Sequence, residues 1–353
     1  MRIALLSTCA LTTPPTAYGG TELVIAEIAH GLVELGHEVS VLAVAGSRPK
    51  GRLYTCSPAT VWPPSDLAEL RHAAAAWKII AREGFDVVHV HHATALSLNH
   101  LLPEACVHTL HHVRNEKLLA HYLAYPEVAY VAISHRQAQQ CPELEFAGVV
   151  HHGLDPARYP YGGGRGGYCA FIARFAPEKA PHLALLAARK AGIPIRLAGR
   201  PDDVTRDQEY FHRKVLPLVK GNALVGELPH VPKVAFLAGA RAMLMPLDWE
   251  EPFGLNMIEA MLVGTPVIAF GRGAVPEVVE EGVTGFIVHS VDEMAERLGQ
   301  LDGFDRRACR ARALERWSYR RMAAEYVKIY ERVAWAGMGR ELTESHRHSA
   351  WGP

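Results

Sequence analysis

Two carboxylates stand eight positions apart in Glu251-Pro252-Phe253-Gly254-Leu255-Asn256-Met257-Ile258-Glu259, and the apolar run from Met257 to Val263 follows the turn between them. Pro252 and Gly254 break regular structure, so the pattern predicts a helix that opens at Leu255 and runs to Leu262. Such an opening leaves backbone N–H groups unpaired and carries roughly half a positive charge. The amides of Phe253, Gly254 and Leu255 are therefore candidates to hold a diphosphate. Glu259 lies four residues beyond Leu255, about one helical turn, which brings its carboxylate to the same pocket, where it would accept hydrogen bonds from ribose hydroxyls. Taken alone, the carboxylates fit an ordinary helix start equally well, because the helix dipole favours acidic residues there.

A guanidinium and an ammonium, Arg174 and Lys179, follow the apolar run Tyr168 to Ile172. At the carboxyl end of a strand both would reach a diphosphate and oppose the charge that builds as a leaving group departs. Solvated surface charge is the competing reading. In the first half, the run Ile3 to Leu6 leads through Tyr18-Gly19-Gly20-Thr21-Glu22 into a helical stretch from Leu23 to Leu35. Gly19 and Gly20 would let backbone approach a ligand, and a tight turn explains them equally well. Histidines cluster at His89, His91 and His92, at His108, His111 and His112, and at His151 and His152. Their spacings match neither H-E-x-x-H nor another recurrent ligand pattern, so no metal site is expected. Strand ends facing a shared cleft explain the clustering more simply, with one or two rings touching substrate.

These residues need strands to carry them, and the pattern supplies strands. Apolar runs at Ile3 to Leu6, Val39 to Val44, Val87 to Val90, Val107 to Leu110 and Tyr130 to Ile133 alternate with helical stretches. The rhythm restarts at Tyr168 to Ile172, then Ile195 to Ala198, Ala242 to Met245, Val267 to Phe270 and Gly285 to Val288. Two doubly wound α/β domains are expected, as befits 353 residues. Gly162-Gly163-Gly164-Arg165-Gly166-Gly167 reads as a flexible linker, which places the hinge over 157–167. The expected division is 1–157, 158–317, a helix over 318–335 and a tail over 336–353 that frays from Thr343.

The balance of 37 basic against 37 acidic side chains leaves no net field to recruit nucleic acid or anionic lipid. Six scattered cysteines without a C-x-x-C pair fit a reducing cytoplasm. The N-terminus reads as a first strand, not a secretion signal, and no apolar stretch reaches the roughly 18 residues of a membrane span. Arg71 to Arg82 is at most a weak interfacial helix; an ordinary surface helix is the expectation, so no membrane contact is claimed.

The chain resembles the family 4 glycosyltransferases in both the content and the order of its motifs. The likeness rests on Gly19-Gly20, Leu35-Gly36-His37-Glu38-Val39, Asp86-Val87-Val88-His89, Thr109-Leu110-His111, Gly153-Leu154-Asp155, the Arg174 and Lys179 pair, the Glu251 to Glu259 segment, and Gly264-Thr265-Pro266-Val267. It implies the GT-B fold, two Rossmann-like doubly wound domains facing each other across a cleft, with the acceptor on the first domain and the donor on the second. The helix over 318–335 would pack back toward the first domain. By the resemblance Arg174 and Lys179 bind the donor diphosphate, Glu259 the ribose, and Glu251 with the amides of Phe253, Gly254 and Leu255 the transferred sugar and phosphates. His111 would project toward the donor sugar, Gly19 and Gly20 would border the donor, and Leu228, in Gly226-Glu227-Leu228, would line the base pocket. The catalytic group would be His111, Arg174, Lys179 and Glu251.

Such enzymes retain anomeric configuration and need neither metal nor cofactor. The implied partners are a nucleoside diphosphate sugar, with UDP or GDP as the nucleotide, and an acceptor hydroxyl. With no residue clearly placed as a covalent nucleophile, front-face attack is the expected mechanism. A sugar-nucleotide epimerase or hydrolase of the same fold, a non-catalytic nucleotide-sugar-binding protein, and a His-rich metal module are the alternatives. Two departures stand out: Gly199-Arg200-Pro201 where many relatives have Gly-x-Gly, and Glu250 as a second carboxylate beside Glu251. Ser47 to Pro64 and Asn115 to Pro126 are expected to be acceptor-side loops.

Overall fold

The computed structural model describes residues 1–348 apart from 18, 102–104, 203, 221 and 222, and gives the backbone alone for 101 and 336–348. Seven parallel strands form the first sheet: β1 (Arg2–Leu6), β2 (Glu38–Val44), β3 (Arg52–Ser57), β4 (Val87–Val90), β5 (Ala105–Thr109), β6 (Ala129–Ala132) and β7 (Phe146–Val149). Six form the second: β8 (Cys169–Ile172), β9 (Ile195–Ala198), β10 (Leu224–Gly226), β11 (Met243–Met245), β12 (Val267–Phe270) and β13 (Gly285–Val288). The helices are α1 (Gly20–Glu34), α2 (Asp66–Glu83), α3 (Glu116–Leu123), α4 (His135–Gln140), α5 (Pro181–Lys190), α6 (Thr205–Tyr210), α7 (His230–Gly239), α8 (Leu255–Leu262), α9 (Val275–Val278), α10 (Val291–Gly299), α11 (Arg306–Arg316) and α12 (Tyr319–His348).

The spatial order is β3-β2-β1-β4-β5-β6-β7 in one sheet and β10-β9-β8-β11-β12-β13 in the other. Each order reverses beside its first strand, at β1 against β4 and at β8 against β11. Loops leaving the carboxyl ends of those two strands diverge to opposite faces, and the crevice they open is where sheets of this kind take ligands. The central strands can be continuous apolar runs because helices cover both faces; β4 is buried along its whole length. Trp77, Ile80, Val88, Val90 and Tyr122 share one core, and Phe171, Phe175, Leu197, Leu244 and Met294 another.

The chain divides into two compact units, one of Met1–Pro15 and Gly19–His151 together with the described residues from Tyr319, the other of Thr16 and Ala17 with His152–Ser318. Beyond the short segment that starts at Thr16, the crossings fall at 151/152 and 318/319, not in the glycine run expected to hinge at 157–167. That run is packed within the second unit: the amides of Gly162, Gly164 and Gly166 donate to the carbonyls of Val263, Ala238 and Gly239 at 2.8, 3.0 and 2.8 Å. A Cβ on Gly162 would lie 2.4 Å from Ala238, so glycine serves close approach there and not freedom.

Other expectations also shift. β3 lies inside the stretch 47–64 and α3 inside 115–126, both expected to be loops, and Asn115 caps α3 by accepting from the Lys117 and Leu118 amides. α2 buries Ala73, Ala76, Trp77 and Ile80 in the core, so its apolar face is already occupied. α12 continues to His348 where fraying from Thr343 was expected, and the rest of the tail, 349–353, lies outside the described residues, as does Tyr18. Among the described residues no helix is long and apolar enough to cross a membrane.

α12 belongs to the first unit and lies against α1. The Glu34 carboxylate accepts from the Tyr319 hydroxyl at 2.8 Å and from Arg320 Nε at 2.7 Å, and the His30 and Tyr319 rings stack at 4.4 Å. Gly31 makes this approach possible, since a Cβ there would come within 2.5 Å of the Ala323 Cβ. Gly31→Val is therefore expected to lower stability by about 1–3 kcal/mol through overpacking, read as a reduced urea midpoint. Gly299→Ala, at a helical position where an added Cβ meets nothing within 4 Å, should leave the midpoint unchanged or raise it slightly.

Candidate active site

In the second unit, the loops after β8 and β11 meet at the reversal of strand order. Gly254 takes the left-handed conformation (φ 87°) that turns the chain into α8, and Asn256 Nδ2 donates to the Ile172 carbonyl at 2.8 Å, tying the start of α8 to the end of β8. Behind them Gly273 lies on the Glu251 backbone: a Cβ there would sit 2.2 Å from both the Glu251 nitrogen and oxygen. The Ala274 amide donates to the Glu251 carbonyl at 2.8 Å. The carboxylate-bearing turn is thus fixed from three sides before any side chain is considered.

Glu251 and Glu259 are both buried. Glu251 Oε2 accepts from Lys179 Nζ at 2.5 Å and from Trp249 Nε1 at 3.0 Å, and the same ammonium sits 4.2 Å from the centre of the Trp249 ring. Glu259 repeats the design. Its Oε1 accepts from the Tyr159 hydroxyl at 2.9 Å and from Lys233 Nζ, on α7, at 2.5 Å. Among the described residues no hydrogen bond reaches Glu251 Oε1 or Glu259 Oε2. Each carboxylate is held by one oxygen and presents the other.

Arg174 lies in the same loop as Lys179, but its surroundings differ from the expectation of a fork aimed at a diphosphate. Its Nη1 donates to Asp202 at 2.9 Å and to the fully buried Asp207 at 3.2 Å, and its Nη2 donates to Glu178 at 2.9 Å. Arg206 joins the cluster through Glu178 and Asp207. Asp202 comes from the loop after β9, the same loop in which this chain departs from Gly-x-Gly. Gly199 in that loop has φ 131°, and a Cβ on it would lie 2.0 Å from the Ala173 carbonyl oxygen, so loop packs on loop with no room between. The Phe175 amide donates to the Arg200 carbonyl at 2.9 Å across the same contact.

Phe253 is core: its ring meets those of Trp317 at 5.7 Å and His152 at 4.9 Å. Leu255 opens α8 with its amide in the first turn. Leu228 is half-buried just beyond β10, beside Glu227, which pairs with Arg200 at 3.1 Å.

In the first unit Gly19 has φ 146°, and a Cβ would lie 2.8 Å from both Leu11 and Pro15, while Gly20 opens α1. Sterics therefore account for Gly19 without a ligand. The histidines at the ends of β4 and β5 form one network. His91 Nδ1 and His111 Nε2 are 2.9 Å apart, and His89 bonds Thr109 at 2.8 Å and the Tyr330 hydroxyl at 2.7 Å. His112 bonds the Tyr122 hydroxyl at 2.6 Å and the Val113 carbonyl at 2.7 Å. Burial pushes His111 and His92 down to about 3, with repulsion from His112 and His72 respectively adding to it. His89, His91 and His108 are also pushed well below the ordinary value, chiefly by burial. In the first turn of α1, Glu22 accepts from the Thr8 hydroxyl at 2.5 Å and is shifted upward by its burial.

Of the residues that hold the two carboxylates, Trp249 stands two before Glu251, but Lys233 and Tyr159 carry no sequence signal: Lys233 stands 26 positions before Glu259 and Tyr159 a hundred before it. Asp202 and Asp207 were equally silent. Gly273, close to the motif only in space, had none.

Two family models match the chain, "Glycosyltransferase Family 4" over residues 18–158 and "Glycosyl transferases group 1" over residues 165–301. The phosphatidyl-myo-inositol mannosyltransferase of Mycolicibacterium smegmatis is 27% identical over 96% of this chain and 95% of its own length. A D-inositol 3-phosphate glycosyltransferase of Mycolicibacterium paratuberculosis is 36% identical over 37% of this chain and 31% of its own. Among solved structures, AviGT4, a glycosyltransferase involved in avilamycin A biosynthesis, superposes with a TM-score of 0.75 at 25% identity, covering 95% of this chain and 98% of that one. Anabaena Alr3699/HepE in complex with UDP and glucose superposes at 0.73 with 17% identity over 93% of this chain and 98% of that one.

Neutral buried histidines make a pH signature. A folded value below the unfolded 6.5 means that the unfolded chain binds more protons, so the stabilising contribution is complete above about pH 6.5 and is lost as pH falls toward about 3. Each such ring contributes up to about 1.4 kcal/mol per pH unit in that window. Melting temperature is expected to fall steadily from pH 6.5 to 4, and His92→Leu should make that slope shallower.

Proposed function

This chain belongs to the family 4 glycosyltransferases and has their GT-B fold, and on that premise we propose that it moves a sugar from a nucleoside diphosphate sugar, UDP or GDP as the nucleotide, to an acceptor hydroxyl, with retention and without a metal ion. The observation that carries the reading is the Lys179–Glu251 pair at 2.5 Å beside the open end of α8, where strand order reverses. UDP stands in the complexes of the superposable Alr3699/HepE, which supports the nucleotide class.

In this reading the difficult charge is the one that develops on the departing phosphate. Lys179 and the amides of Phe253, Gly254 and Leu255 oppose it with fixed charge and dipoles, which is worth more in a water-poor pocket than in bulk. Lys179 already spends one donor on Glu251, and an ammonium has three, so it can reach a phosphate without leaving its partner. Arg174, ringed by Glu178, Asp202 and Asp207, contributes by turning part of its fork from a carboxylate to the phosphate. Glu259 binds ribose and Glu251 the sugar through their presented oxygens, Gly19 and Gly20 border the donor, and Leu228 packs on the base. His111, neutral at working pH, makes a hydrogen bond to the transferred sugar. Attack comes from the face that the phosphate leaves, and the phosphate takes the acceptor proton. The cytoplasm is the assigned compartment, in keeping with six unpaired cysteines.

Lys179→Ala and Glu259→Ala should each lower turnover about a hundred- to thousandfold while circular dichroism stays unchanged, and activity should survive EDTA. NMR of the product anomer checks retention. Wild-type turnover in both variants, or donor consumption that needs no acceptor, would remove this assignment.

A further inference from the structure

Resting on the ribose reading of Glu259, the structure assigns Lys233 and Tyr159 as the positioning residues that aim this carboxylate, and so as the groups that set how strictly the donor site requires a ribose. The argument begins with burial. Glu259 and Tyr159 are buried, and the Lys233 side chain is only 15% exposed. A carboxylate in such a place stays ionised and oriented only if a cation and donors reach it. Both do, and both reach the same atom: the Tyr159 hydroxyl at 2.9 Å and Lys233 Nζ at 2.5 Å converge on Oε1.

Two donors on one oxygen fix the plane of the carboxylate, and the second oxygen, Oε2, accepts nothing among the described residues. A ribose offers two vicinal hydroxyls, and a charged acceptor held in one orientation is the group that can tell both hydroxyls from one.

The two donors are themselves braced. Tyr159 is held by its backbone, whose carbonyl accepts from Arg310, and by the His230 ring set edge-on at 5.2 Å. His230 opens α7, the helix that carries Lys233 one turn later, so ring and ammonium move as one piece. Neither residue needs to touch the nucleotide. They act through Glu259, and their removal should alter selectivity for the sugar of the nucleotide more than affinity for its phosphates.

The test measures binding of UDP, GDP and ADP, each against its 2′-deoxy and 3′-deoxy form, to the full-length chain by calorimetry. The wild type should prefer the ribonucleotide about 10- to 100-fold, the size of a hydrogen bond to a charged group. Glu259→Ala should bring that ratio near one. Lys233→Met should do the same, Lys233→Arg should restore most of it, and Tyr159→Phe should lower it about threefold or more while keeping the fold. If Lys233→Met does not fold, Tyr159→Phe and Lys233→Arg still decide the matter. A wild-type ratio in Glu259→Ala, or no binding of any nucleotide, overturns the donor reading itself. A collapsed ratio in Glu259→Ala with wild-type ratios in every folded Lys233 and Tyr159 variant overturns the present inference alone.

Discussion

A buried carboxylate must be given a cation, and in the second unit this requirement is met twice by the same arrangement. Glu251 takes Lys179 and an indole N–H on one oxygen; Glu259 takes Lys233 and a phenol on one oxygen. Stripping one partner from such a pair costs about 3–5 kcal/mol, because the charge left behind is uncompensated. The pairs therefore lock loops together as well as orient oxygens: the turn after β8 to the turn after β11, and α7 to α8. Stability and site geometry are here the same interaction.

That arrangement depends on where the parallel sheet sends its loops. Because β8 and β11 are neighbours whose connections leave on opposite faces, their carboxyl ends can bring Lys179 and Glu251, 72 residues apart, to 2.5 Å. The backbone then has to be brought closer than side chains allow, which is the work of Gly199 and Gly273, while Gly254 supplies the left-handed turn. Arg174 shows the other side of the same crowding. With three carboxylates around one guanidinium, its charge is largely spent inside the protein, and it would reach an anion by exchanging partners.

The first unit solves a different problem. Its strand ends carry polar rings into a core, where burial keeps them neutral and the hydroxyls of Thr109, Tyr122 and Tyr330 give them hydrogen-bond partners. α12 supplies Tyr330, and also Tyr326, whose hydroxyl lies 2.9 Å from Thr109, so a helix from the far end of the sequence completes the histidine network.

The sequence by itself determined the alternation of strand and helix, the extent of α8 and the central strands, because buried apolar runs and helix-opening turns are local signals. β4, β9, β12 and β13 lie where the runs predicted them. It was least legible at the margins. β3, β7 and β10 all stand at sheet edges, where one side faces no neighbouring strand and the apolar run gives way to polar residues or glycine. The glycine run at 162–167 read as a linker because composition reports conformational freedom but not the neighbour that fills the space a side chain would need. Motif spacing likewise named Lys179, Glu251 and Glu259 without their partners. Lys233, Tyr159, Asp202 and Asp207 could be assigned only by the tertiary structure, since the charge that a buried group requires is fixed by what packs against it and these partners stand 26 to 100 residues away.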